Sequence, residues 1–185
     1  MQFTRFPITD YRLPCLLLLL AANFLLPSCT TNQKLTEAIS YDSDSTKHVL
    51  NFAGKKNELV KETTWYPNGN LKSEYNFNDS LLHGTFKTFN ENGNPVKEGA
   101  YLNGMENGLF KYYDVNGMLT IEGFLNSGKK EGLWTTWYDD VQKKEEMHYK
   151  DDVLNGLWTH WFIDGNLMRE ETYENGKKIK EQVYE

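Results

Sequence analysis

The chain has only two cysteines and five prolines in 185 residues. Two cysteines exclude a disulfide-dense scaffold and a zinc site built from four thiolates. Basic charge is also short. Lys and Arg number 20 against 26 Asp and Glu, for a formal net charge of -6 and a pI near 5.3. Nucleic acid is therefore not expected as a partner, because neutralising phosphates needs a basic surface. Catalytic signatures are missing too. There is no phosphate-cradling Gly-rich loop, no Gly-x-Ser-x-Gly elbow and no His-Glu-x-x-His. The histidines His48, His83, His148 and His160 show no metal-ligand spacing, although His148 and His160 could approach on adjacent strands. Asp114-Val-Asn-Gly117 begins like a calcium loop, but Tyr112 stands where an acid is needed. No cofactor, no metal and no enzymatic activity are expected. What the chain does have is a 39% hydrophobic and 14% aromatic composition at a mean hydropathy of -0.66. This is globular composition for a single domain with a tail.

The N-terminal segment reads as an address. Leu13–Leu26 is an apolar run of 14 residues. As helix it would rise about 21 Å, short of the hydrocarbon thickness of about 30 Å. It fits the apolar region of a signal peptide over residues 1–28. Leu26-Pro27-Ser28-Cys29 resembles a bacterial lipobox, which implies lipidation of Cys29 and attachment to the bacterial cell envelope, at the outer membrane or periplasmic face. Residues 29–49, rich in Ser, Thr and Asp, are expected to be a flexible tether. All 14 glycines follow it, from Gly54 onward, so the folded domain is expected over residues 50–185.

That domain repeats every 24 residues without insertion. Gly84, Gly108, Gly132 and Gly156 keep the step, as do Phe86, Phe110, Trp134 and Trp158. So do Trp65, Phe89, Tyr113, Trp137 and Trp161. Glu74, Glu98, Glu122, Glu146 and Glu170 form an unbroken acidic column. Phe77, Tyr101, Leu125, Tyr149 and Tyr173 form an aromatic or apolar one. Two glycine columns mark turns. One breaks at Val141 and the other at Asp152. Two turn signals per period predict two strands per period, joined as antiparallel neighbours. The fold class expected is all-β: an elongated single antiparallel sheet of about five tandem 24-residue β-hairpins. A β-helix would need parallel coils and fewer turns.

Gly132-Leu-Trp-Thr-Thr-Trp-Tyr138, Gly156-Leu-Trp-Thr-His-Trp-Phe162 and Gly108-Leu-Phe-Lys-Tyr-Tyr113 with Asn116-Gly117 resemble the MORN-repeat variant, over about Val60–Tyr184. Proteins of this kind are often grouped as YwqK-type antitoxins. The resemblance implies a hairpin array and a non-enzymatic, protein-binding role, with a toxin as one partner; an envelope component is the other expected partner.

The glutamate column is expected to be structural, pairing with Lys or Arg across strands, because a catalytic pair would not recur in every repeat. The aromatics at 134/137 and 158/161 are three apart, which places them on opposite faces unless a bulge intervenes. Their structural role is to fill both faces of a thin sheet. Their functional role would be one exposed binding face made by Trp134, Trp137, Tyr138, Tyr149, Trp158, Trp161 and Phe162. The alternatives to a protein scaffold are a glycan or cell-wall binder that stacks sugars on this face, and a spacer lipoprotein. The charged C-terminal stretch Lys177–Glu185 is expected to cap the array.

Overall fold

The computed structural model describes residues 36–54, 56–139 and 141–184. They form one 15-stranded sheet in which every paired neighbour is antiparallel and none crosses over. The strands are β1 (Thr36–Tyr41), β2 (Lys47–Ala53), β3 (Glu58–Trp65), β4 (Leu71–Asn78), β5 (Leu81–Leu82), β6 (Gly84–Phe89), β7 (Pro95–Leu102) and β8 (Met105–Glu106). There follow β9 (Gly108–Tyr113), β10 (Leu119–Asn126), β11 (Lys129–Trp137), β12 (Lys143–Lys150), β13 (Val153–Trp161), β14 (Leu167–Glu174) and β15 (Lys177–Val183). The two-residue strands β5 and β8 lie off the main path, paired to β4 and β7. Thirteen strands remain in chain order along the path; at normal strand spacing they span about 58 Å. The all-β hairpin array read from the sequence is the fold.

Each period uses two kinds of turn. One is a two-residue loop in which both residues have positive φ, such as Asn103 (51°) with Gly104 (85°). This is the type I′ geometry, whose twist matches the flanking strands. The other is a longer turn in which the amide of Asn90 donates to the Asn94 carbonyl and that of Gly93 donates to Asn90, both at 2.9 Å. A register shift sits at its base, where Thr88↔Lys97 gives way to Phe89↔Pro95, Thr136↔Glu145 to Trp137↔Lys143, and His160↔Arg169 to Trp161↔Leu167. Such a bulge bends the strand at the same place each time.

The repeats also grip one another through their turns. The amides of Gly104, Gly128, Asp152 and Gly176 donate to the carbonyls of Leu82, Glu106, Lys130 and Leu154, one repeat back, at 2.8–3.0 Å. Asp152 therefore holds a glycine's place in full. It takes φ 69°, which Asp tolerates better than most residues, and its carboxylate accepts the Lys130 amide at 2.7 Å. At the other break, the Asp139 carboxylate accepts the amides of Val141 and Gln142 at 3.0 and 2.7 Å.

The expected tether needs correction. Within residues 29–49, Thr36–Tyr41 and Lys47–Ala53 are strands paired from Thr36↔Phe52 to Tyr41↔Lys47. Their turn repeats the glycine-turn pattern one period early. The Asp42 amide donates to Thr46, and the Ser45 amide donates to Asp42. Ser45 takes φ 67° where later repeats have glycine, and Leu50 stands one period before Glu74. Those two replacements hid the unit. The signal peptide, lipobox and Cys29 lie outside the described residues.

Candidate binding surfaces

Strand alternation sorts the periodic columns onto two faces. On one, which we call the ring face, Phe86, Phe110, Leu125, Trp134 and Met147 are buried and Tyr75, Tyr101, Tyr112, Ile121, Tyr149, Leu154 and Trp158 pack around them. Phe110 is 0% exposed although no second layer covers the sheet among the described residues. Two features explain this. Gly99 and Gly123 lie directly opposite Phe110 on its neighbouring strands, so the rings fold flat across bare backbone. A Cβ on Gly99 would come within 2.6 Å of the Phe110 ring, and one on Gly123 would overlap the Trp134 indole. The second feature is lysine cover. Lys97 lies 5.2–5.6 Å from the ring centres of Phe86, Phe110 and Tyr112. Lys130 lies 4.6 and 4.7 Å from those of Trp134 and Tyr149. Such stems cover apolar surface while their heads stay wet.

The opposite face carries the glutamate column as a continuous ladder. Across it, Thr63, Glu74, Lys87, Glu98, Lys111, Glu122, Thr135, Glu146, Thr159 and Glu170 stand in register, strand by strand. Glu74 pairs with Lys61 at 2.7 Å and Glu98 with Lys87 at 3.1 Å. The Tyr113 hydroxyl donates to Glu98 at 2.7 Å, and that of Tyr184 donates to Glu170 at 2.7 Å. Lys143 pairs with Glu146. The hydrogen bond from Tyr113, aided by Lys87 and Lys111, holds the Glu98 carboxyl below its ordinary pKa.

The seven aromatics expected to share one binding face do not share one. Trp134, Tyr149 and Trp158 are on the ring face. Trp134 is 3% exposed with Tyr149 edge-on at 6.5 Å, and Trp158 stacks on His160 at 4.8 Å. Trp137 and Trp161 stand on the ladder face, half-buried, with Lys143 5.9 Å from the Trp137 ring centre. Tyr138 and Phe162 are exposed at the turns, where the Tyr138 hydroxyl donates to the Trp161 carbonyl at 3.1 Å. The bulge beside Thr136 and Trp137 puts its extra residue, Lys144, on the partner strand, so alternation runs unbroken from 134 to 137 and the odd spacing separates the two rings. His148 and His160 also divide. His148 is on the ladder face with Leu133, and His160 is buried on the ring face.

The last two repeats bury charge on the ring face. His160 Nδ1 is 3.3 Å from Glu145, and Nε2 is 3.8 Å from Glu171. Arg169 and Lys178 approach the other Glu171 oxygen at 3.5 and 3.4 Å, and the Tyr173 hydroxyl donates to Glu171 at 2.9 Å. Burial, then the Arg169 charge, pushes the His160 pKa down against its two carboxylates. Burial would raise the Glu171 carboxyl, but Tyr173, Lys178 and Arg169 outweigh it and hold it low. Among the described residues no group of three His, Cys, Asp or Glu side chains is arranged to hold a metal ion.

Two exposed apolar groups escaped sequence reading. On the ladder face Leu109 opposes Phe124, with Leu133 and Leu157 on the strands beyond, all exposed. Their signal was present, since Leu109, Leu133 and Leu157 keep the 24-residue step. At the longer turns Val115, Met118, Val141 and Ile163 are exposed beside Tyr138 and Phe162. Apolar residues in turn positions were the signal there.

No curated protein shows significant similarity to the chain. Residues 60–79, 82–103, 130–151 and 154–175 match the profile of the MORN repeat variant. Between them, β9 and β10 form the same hairpin at the same period. Four units of this array are thus similar to the MORN repeat variant.

Proposed function

We propose that the chain is a non-enzymatic, protein-binding scaffold of the bacterial envelope, anchored through lipid on Cys29. Its partner is a toxin, as the resemblance to YwqK-type antitoxins suggests, or an envelope component. The observation that carries this reading is the set of large apolar side chains that the hairpin array leaves uncovered on the ladder face and at the turns. Exposed apolar groups of this extent mark interaction surfaces more often than they serve folding. MORN repeats in tandem suit a scaffold, since every unit presents the same positions at a fixed step.

The test is a crosslinking pulldown from native envelopes with the full chain and a Cys29→Ala control. One stoichiometric protein partner, retained from extract to extract, supports the scaffold. No protein partner, with tryptophan fluorescence shifting on addition of envelope polysaccharide, replaces it with the glycan-binding alternative. A Cys29→Ala chain that stays in the membrane fraction removes the lipid anchor from the proposal.

A further inference from the structure

The longer turns of the array differ in chemistry along its length. In two early repeats they read Tyr66-Pro-Asn-Gly-Asn70 and Asn90-Glu-Asn-Gly-Asn94, polar at the tip. In the next three they carry Val115 and Met118, Tyr138 and Val141, then Phe162 and Ile163. Val115 is 69% exposed, Val141 85% and Ile163 70%. Neither packing nor turn formation accounts for them. They touch no core, and turns favour Gly, Asn, Asp, Pro and Ser at such places. Each of these turns also carries a carboxylate, at Asp114, Asp139 and Asp164. One oxygen of each accepts from backbone amides of its own turn, which lowers the Asp139 pKa from its ordinary value; the second oxygen of Asp164 also accepts from the Asn166 side-chain amide at 3.0 Å. An open cleft of ≈ 510 Å³, lined by Phe162, Asp164, Asn166 and Leu167, lies at the last of them. The Lys144 ammonium lies 5.7 Å from the Tyr138 ring centre.

We infer that this ridge of turns is the docking surface for an extended segment of the protein partner, basic at every third position with apolar residues between, laid across the turns. The inference rests on the scaffold reading above and adds the place and the chemistry. Charge complementarity selects a basic segment, because the ridge presents aspartate side chains at all three turns and the chain as a whole is acidic at -6. The spacing selects an extended one. Successive turns are two strand spacings apart, about 10 Å, and one turn of polyproline II chain, three residues, advances about 9 Å. In that conformation every third side chain returns to the same side, so a basic residue at every third position meets one turn each, with the apolar residues between them beside Val115, Val141 and Ile163.

The test uses a 12-residue peptide of Lys-Val-Thr repeats, a Glu-Val-Thr counterpart, and NMR shift mapping on the chain. Saturable shifts confined to the three turns, with the basic peptide at least tenfold tighter, are expected. The triple variant D114N/D139N/D164N keeps the acceptor oxygens and removes three of the four carboxylates in these turns, leaving Asp140. Asn already stands at Asn68 and Asn90 in early turns, so it should fold, and it should lose that preference. Equal binding of both peptides, no saturable binding, or shifts on the ladder face overturns the inference. So does tighter binding to vesicles of anionic lipid. In the envelope pulldown, equal partner capture by the triple variant sinks this surface while leaving the scaffold intact. Capture of nothing by the native chain sinks the scaffold itself.

Discussion

Gly99 and Gly123 are small because an aromatic ring occupies the space a side chain would take. A ring laid over bare backbone on the next strand is screened on one side by the sheet itself, and by Lys97 or Lys130 on the other. Gly99→Ala should then cost about 1–3 kcal/mol, as overpacking does. Denaturant unfolding measures it, and pairing the change with Phe110→Leu should recover part of the loss. The histidines make a second residue-scale prediction. At His48, burial disfavours the charge, but hydrogen bonds and charges from Glu62 and Asp42, at 3.1 and 2.9 Å, outweigh it and raise the pKa above 6.5. Its stabilisation is present below pH 6.5 and fades as pH rises through the folded value. His160 has the opposite sign. The unfolded chain takes up a proton near pH 6.5 that the fold refuses until lower pH, so acidification weakens its surroundings of Glu145, Glu171 and Arg169. Hydrogen exchange between pH 5.5 and 7.5 should show β2 losing protection on alkalinisation and β13 losing it on acidification. The same direction in both strands would refute the assignment.

At the scale of the element, the unit is a hairpin whose two turns follow different rules. The two-residue turns need positive φ at both positions, and Asp152 meets that need at 69°. Asp152→Gly should be nearly neutral. Asp152→Val should cost about 1–2 kcal/mol, because a β-branched residue is strained in the left-handed region; thermal melts separate the two. The longer turns depend on side-chain acceptors. Asp139→Ala removes the acceptor for the Val141 and Gln142 amides, so exchange at Gln142 should accelerate while that at β7 is unchanged. Much of this hairpin was legible in advance. Asn103-Gly104 and Asn175-Gly176 are local signals, since turn chemistry is decided by the residues in the turn. The first hairpin was not legible, because Ser45 does with φ 67° what glycine does elsewhere.

At the scale of the whole molecule, each hairpin is held by its neighbours through the ladder, the overlaid rings and turn amides that reach one repeat back. The edge strand β15 is exposed throughout and carries Lys177, Lys178 and Lys180, which discourages further strand addition. A constant period makes a clean excision available. Deleting residues 108–131 removes one period and joins Asn107 to Gly132 in the same register. The shortened chain should fold in one cooperative transition at a lower midpoint, because it keeps every type of interface and loses one copy. A shortened chain with no β signal by circular dichroism would mean that the removed unit nucleates the array.

By itself the sequence determined the period, the strand count per period, the antiparallel pairing and the odd spacing of Trp134 and Trp137, which only a bulge between them could have brought onto one face. These follow from turn chemistry and from the two-residue alternation of strands, both local in origin. Only the tertiary structure decided which column is buried. Phe110 and Tyr113 are both aromatic and both periodic, yet one lies under Lys97 against Gly99 and the other bonds Glu98 in the open ladder. Burial in a single-layer sheet depends on what neighbouring strands place beside a ring, and register shifts at the bulges set those neighbours.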